Sequence, residues 1–205
     1  MSQPILYHCP DARSLRCLWA VEEAGIDVDL RVLKFPPRAF EPDYRAVNPL
    51  MTVPGWVEDG RLLTESAAIC ERIAEGTALE VRRDEADYWD CRNWLHRSDA
   101  TLTFPLAIMI RYTRVEPEER RLAQAVADYK AFFGGRARSI EAALADGREW
   151  LVAGRFTIAD IVIGYAAFLA TTLGAEDVLG DATQAWLARC TAREGFVRAR
   201  ARQKG

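Results

Sequence analysis

The 205 residues suffice for one large domain or two small ones, and a composition half apolar and 28% charged excludes an intrinsically disordered chain. A formal net charge of -3, with acidic and basic residues intermixed, gives no electrostatic footprint for nucleic acid or an anionic membrane. Five cysteines, none spaced C-x-x-C, and two histidines exclude a disulfide framework and a zinc site, so no metal is expected.

Pro4 to His8 forms a short apolar run, and Ile26 to Val32 alternates apolar and polar residues as a half-buried strand does. Between them Leu15, Leu18, Trp19 and Val21 recur at helical spacing. Glu22 and Glu23 are expected to face outward, and Gly25 stands where a left-handed C-terminal cap belongs. The unit predicts strand, helix, strand, joined by a right-handed parallel crossover.

Phe35-Pro36-Pro37 interrupts regular structure, and Asn48-Pro49 interrupts it again after a stretch that holds one or two helical turns. Val53 to Glu58 and Arg61 to Thr64 flank Asp59-Gly60, a strong hairpin signal. Glu65 to Glu75 carries Ala68, Ile69, Ile73 and Ala74 in helical register and ends at Gly76. The order is therefore βαβ, an irregular helical stretch, then ββα.

Thr77 to Arg83 lacks periodicity and marks a domain boundary, which gives domains over residues 1-78 and 84-205. All that follows patterns as helix. One long helix is predicted from Asp84 to Tyr112, kinked near Pro105, and another from Pro117 to Asp146-Gly147. Thr157-Ile158-Ala159-Asp160 has a hydroxyl at an N-cap and a carboxylate three residues on, a variant of the capping box. Ile161 to Leu173 then contains no charge, which predicts a helix buried on all sides at the centre of the second domain. Arg198, Arg200, Arg202 and Lys204 at the C-terminus predict a frayed, solvated helix end.

MSQPILYHCP lacks the basic start and apolar run of a signal peptide, and no apolar stretch reaches the roughly 18 to 20 residues of a membrane span. A cytoplasmic protein without membrane partners is expected.

These pieces resemble the cytosolic glutathione S-transferases. The resemblance rests on the βαβ…ββα order, Asn48-Pro49-Leu50-Met51-Thr52-Val53-Pro54, the Asp59-Gly60 turn, Leu63-Thr64-Glu65-Ser66-Ala67-Ala68-Ile69, and Phe156-Thr157-Ile158-Ala159-Asp160. It implies an α/β thioredoxin-like N-terminal domain that binds glutathione, followed by an all-α C-terminal helical domain. It also implies a cis peptide before Pro54, which would turn the backbone of Val53 toward the cysteinyl backbone of glutathione like an added strand. Glu65 would meet the ligand's ammonium, and Ser66, at a helix N-terminus, its γ-glutamyl carboxylate. For Glu65-Ser66 simple helix capping is the alternative. Met51 and Thr52 stand where Gly and Lys or Gln are common in the family, so the contact expected at Thr52 is weaker or supplied elsewhere.

A thiol with a pKa near 8.5 is mostly protonated at neutral pH, so a transferase of this kind must stabilise the thiolate. Ser14 falls where serine-type members, including zeta-like ones, place their activating serine, with an N-cap role as the alternative. Tyr7 is the rival hydroxyl, because tyrosine-type members carry theirs at the end of the first strand, with plain core packing as the alternative. Arg13 occupies the place of the cysteine in beta-like members and would assist the thiolate by charge, with a solvent-exposed arginine as the alternative. Cys9 could form mixed disulfides with glutathione as reductive members do, although Cys9-Pro10 lacks a resolving cysteine.

The resemblance further implies conjugation of glutathione, as co-substrate, to small hydrophobic electrophiles in a detoxifying role. Trp94, Phe104, Ile108 and Tyr112 are candidate pocket residues, with helix-core packing as their alternative. Other family activities are zeta-like glutathione-dependent isomerisation and noncatalytic binding of glutathione or hydrophobic ligands. The family pairs as homodimers, and a homodimer is expected on that basis.

Overall fold

The computed structural model describes residues 3–203. In chain order the elements are β1 (Ile5–His8), α1 (Ser14–Ala24), β2 (Asp29–Val32), α2 (Pro37–Phe40), β3 (Gly55–Glu58), β4 (Arg61–Leu63) and α3 (Ser66–Ala74). They continue with α4 (Tyr88–Arg97), α5 (Phe104–Ile110), α6 (Ala123–Leu144), α7 (Ile158–Thr172), α8 (Asp181–Thr191) and α9 (Glu194–Arg202). Two compact units result, Met1–Glu80 with Thr191–Gly205, and Val81–Cys190.

In the first unit the sheet order is β2-β1-β3-β4. β1 runs parallel to β2 with Ile5 opposite Asp29, and antiparallel to β3 with Tyr7 opposite Gly55. β3 and β4 pair antiparallel with Glu58 opposite Arg61, and Asp59 and Gly60 turn between them at φ 47° and 75°. Positive φ at both turn positions gives the strand twist a tight hairpin needs. The parallel crossover followed by this hairpin is the thioredoxin-like arrangement. β2 is shorter than the alternating pattern, because only Asp29 to Val32 finds partners on β1.

α1 ends as its glycine predicts: Gly25 is left-handed at φ 66° and its N–H caps the Val21 carbonyl. Its burial departs from the expected one-sided stripe. Every residue from Ser14 to Val21 is buried, since α3 and α9 both pack against the helix. Glu22 and Glu23 do not face outward. The Glu23 carboxylate receives Trp19 Nε1 at 3.0 Å and two Arg193 nitrogens at 2.9 and 2.8 Å, while Glu22 pairs with Arg198 at 3.1 Å and Arg202 at 2.9 Å.

The C-terminal arginines therefore do not form a frayed end. Phe196 sets its ring edge-on to Trp19, centroids 4.9 Å apart, which gives α9 an apolar anchor beside its ion pairs. Arg200 and the Gln203 amide, at 2.9 Å, meet the Asp11 carboxylate in the β1–α1 loop. The expected helical domain over 84–205 thus differs from the observed division: α9 completes the first unit, because its partners Trp19, Glu22 and Glu23 are on α1.

In the second unit the long helix predicted around Pro105 is present as α4 and α5 joined by a wide π turn, Ser98–Thr103. Pro105 cannot donate a backbone hydrogen bond to the preceding turn. Two buried hydroxyls meet the carbonyls there: Thr103 Oγ1 donates to Ser98 and Ser98 Oγ to Leu95, each at 2.6 Å. α6 begins at Ala123 rather than near Pro117, after a 3₁₀ turn at Glu118–Arg120 and an extended Arg121 and Leu122.

Ile158 through Ala167 of α7 are all buried, and the helix opens with the predicted capping box. Asp160 Oδ2 accepts the Thr157 N–H at 2.9 Å and its hydroxyl at 3.2 Å. Oδ1 accepts the Leu151 N–H at 3.0 Å and Trp186 Nε1 at 3.1 Å. Burial pushes the Asp160 carboxyl up to about 6, against these donors, which favour the charged form. No helix among the described residues is long and apolar enough to cross a membrane.

Candidate functional site

The first unit brings three segments together: the loop from the end of β1 into α1, the approach to β3, and the start of α3. Tyr7, at the end of β1, lies opposite Gly55, which directly follows Val53-Pro54. The Val53–Pro54 peptide is cis, as the resemblance implies, and Phe35–Pro36 is cis as well.

The approach to β3 is held by two residues that the sequence reading passes over. Buried Asn48 donates through Nδ2 to the Thr52 carbonyl at 2.8 Å and accepts the Leu50 N–H at 3.0 Å, and the Tyr44 hydroxyl donates to the same Thr52 carbonyl at 3.0 Å. Thr52 is fixed by its backbone, and its side chain is exposed. A Cβ at Gly55 would stand 2.5 Å from the Tyr44 hydroxyl, so this crossing requires glycine. Met51 adopts a left-handed φ of 55° with a buried side chain. The only sequence signal for Asn48 is its place before a proline.

Glu65 occupies the N-cap of α3 with an exposed side chain that makes no capping bond among the described residues, and Ser66 is the first helical residue, buried. The capping alternative for Glu65 thus has no bond to support it. The Ser66 carbonyl accepts the Cys17 thiol of α1 at 3.5 Å, which ties the start of α3 to α1.

Ser14 is the first residue of α1 and fully buried. Its hydroxyl turns inward: Oγ accepts the Cys9 N–H at 3.1 Å and donates to the Cys9 carbonyl at 3.3 Å. Arg13 precedes it at the N-cap, half-buried. Tyr7 is half-buried, with its ring 5.0 Å from that of Tyr44. The Cys9 side chain is sealed, and burial, with the Glu41 charge adding to it, pushes its thiol up to about 12. Such a thiol stays protonated, which argues against mixed-disulfide chemistry at Cys9.

Beside this loop lies His8, fully buried, with neither ring nitrogen in hydrogen-bonding geometry with a partner among the described residues. Burial lowers its pKa to about 4, although the Ser14 backbone, the Asp11 carboxylate and Gln203 act in the opposite direction. The loop is further fastened where the Asp11 N–H donates to Gln203 Oε1 at 3.1 Å. Nothing in the residue pattern announces this last tie, since its partners are 192 positions apart.

The pocket residues named from sequence belong to the second unit. Trp94 is buried beneath the Arg97 guanidinium, 4.3 Å from its ring, and Phe104 is exposed with its ring 6.1 Å from Tyr129. Ile108 and Tyr112 are half-buried, the latter with Arg111 5.8 Å from its ring centroid. Among the described residues no cluster of His, Cys, Asp and Glu could hold a metal ion.

Residues 12–75 match the family described as glutathione S-transferase, N-terminal domain. Glutathione S-transferase 3 of Schizosaccharomyces pombe is 30% identical over 101 residues, 48% of this chain and 42% of that protein, so the match spans less than half of the relative's length. Among solved structures, a glutathione transferase from Methylococcus capsulatus aligns at TM-score 0.83 and 21% identity over 98% of each chain. Ure2p in complex with glutathione aligns at TM-score 0.81 and 20% identity, over 97% of this chain and 93% of that one. At these identities the solved structures establish the shared fold. The match to the glutathione S-transferase N-terminal domain extends over α1 to α3.

Proposed function

We propose that the protein binds glutathione in its first unit and transfers the glutathione thiolate to small hydrophobic electrophiles. The observation that carries this reading is the convergence, within one unit, of the cis Val53–Pro54 peptide, the exposed Glu65 carboxylate at the start of α3, and the first turn of α1. Val53 would pair with the cysteinyl backbone of the tripeptide. Glu65 would take its ammonium, and Ser66, with the positive end of α3, its γ-glutamyl carboxylate.

The sulfur would then face the opening turn of α1, where the helix dipole and the Arg13 charge favour the thiolate. Ser14 would donate to it by releasing its longer bond, the one to the Cys9 carbonyl, while keeping the bond from the Cys9 N–H. Tyr7 is the second hydroxyl proposed for this role. That glutathione is bound by Ure2p supports the binding step by likeness of fold. A homodimer is part of the same proposal.

Calorimetric titration with reduced glutathione, followed by turnover against a panel of aryl halides, enals and epoxides, tests the reading. Binding with turnover is expected, and Glu65→Ala should lose most of the affinity. Absence of binding would remove the proposal.

A second reading, binding without turnover, is favoured by one observation: the Ser14 hydroxyl is fully buried and already bonded to Cys9. Glutathione affinity with no activity across the panel would establish it. Isomerisation of cis-enol diacids distinguishes the zeta-like activity.

A further inference from the structure

Cys17 on α1 and Cys70 on α3 meet across the packing of these two helices, with their sulfurs 3.8 Å apart. Both side chains are fully buried, and no disulfide joins any of the five cysteines. The Cys17 sulfur lies at a junction. It faces Cys70 on one side and donates to the Ser66 carbonyl at 3.5 Å on the other, so the thiol that can be oxidised also holds the first residue of α3.

We infer that Cys17 and Cys70 form a redox modification site, which a peroxide closes into a disulfide that detaches Cys17 from the Ser66 carbonyl. One thiol gives an electron pair to the peroxide, breaking the O–O bond and forming a sulfenic acid and one water. The other thiol then attacks the sulfenic sulfur and expels a second water. Two thiols and one hydrogen peroxide thus yield one disulfide and two waters, with two electrons passing from sulfur to oxygen.

Burial shields both thiols from the oxidant, so the reaction proceeds through local opening of the α1–α3 contact and is slow. The sulfurs already stand at van der Waals contact, and a disulfide bond of about 2.0 Å needs them to close by less than the breadth of one atom. The closed form takes away the proton that Cys17 shares with Ser66. α3 is then held to α1 through Cys70 while the Ser66 carbonyl loses its donor, which weakens the hold on the γ-glutamyl end of glutathione. That last consequence rests on the proposed function; the disulfide does not.

The test is to treat the full-length protein with hydrogen peroxide, remove the oxidant with catalase, unfold in iodoacetamide and map the peptides by mass spectrometry. The expected result is a cross-linked pair of peptides bearing Cys17 and Cys70, absent in Cys70→Ala and reversed by dithiothreitol. Alkylation of both cysteines after treatment, their separate conversion to sulfinic acids, or a bridge to a different cysteine overturns the inference. The wild-type measurement decides this even if the variant fails to fold. Calorimetry on oxidised and reduced samples should show glutathione affinity about tenfold weaker in the oxidised form. Equal affinities with the cross-link present overturn the coupling to Ser66. If the reduced protein binds no glutathione, the proposed function fails and the peptide map still decides the disulfide.

Discussion

The hydroxyl of Ser14 closes on the backbone of Cys9 twice, accepting its N–H at 3.1 Å and donating to its carbonyl at 3.3 Å. One side chain thereby shapes the loop that any thiol held at the start of α1 must face. Ser14→Ala leaves the Cys9 N–H unpaired in a buried place, and urea denaturation should show a loss of about 1–3 kcal/mol. Turnover should fall about 10²-fold if the hydroxyl also serves the sulfur. Destabilisation with an unchanged kcat would make Ser14 a positioning residue only.

Asp160 accepts from four donors belonging to Leu151, Thr157 and Trp186, and so joins the start of α7 to α8 and to the preceding loop. Removing that acceptor strands buried donors. Asp160→Ala should cost on the order of 3–5 kcal/mol in chemical denaturation, and a loss below about 1 kcal/mol would contradict the network.

His8 gives the first unit a pH dependence. Its pKa is near 4 when folded and 6.5 when exposed, so the unfolded chain binds the extra proton between those values. Stability from this residue is present above pH 6.5 and is lost as pH falls toward 4. Between pH 7 and pH 5 the wild type should lose about 2 kcal/mol that His8→Gln does not lose. Parallel pH profiles of the two proteins, measured by urea denaturation, would refute this.

Ala153 has a left-handed backbone at φ 59°, and its N–H donates to Asp87 Oδ2 at 2.6 Å. Its side chain is only half-buried, whereas its Cβ strains the backbone. Ala153→Gly should therefore raise the unfolding midpoint, by the equivalent of up to about 1 kcal/mol. A lower midpoint would show that the methyl packing outweighs the strain.

Short-range chemistry made much of the fold legible. Asp59-Gly60 needs two positive φ angles, Gly25 caps α1, and Thr157 with Asp160 forms a box over four residues, each a local consequence of local residues. The surroundings of α1 were not legible, because its second apolar cover, Phe196, comes from the far end of the chain and the charges of Glu22 and Glu23 look solvated until Arg193, Arg198 and Arg202 arrive. The site divides in the same way. Val53-Pro54 and Glu65-Ser66 are contiguous pairs that a pattern can carry. The inward turn of the Ser14 hydroxyl and the Asn48–Thr52 bond depend on loop geometry that residue types alone do not specify.

Because α9 packs on α1, the beginning and the end of the chain form one folding unit. A chain cut after residue 190 would bare Trp19 to water and take Arg193 away from Glu23, and Arg198 and Arg202 away from Glu22. The first 80 residues made alone would likewise carry an uncovered helix, so shortening the protein from its tail damages the sheet domain at its head.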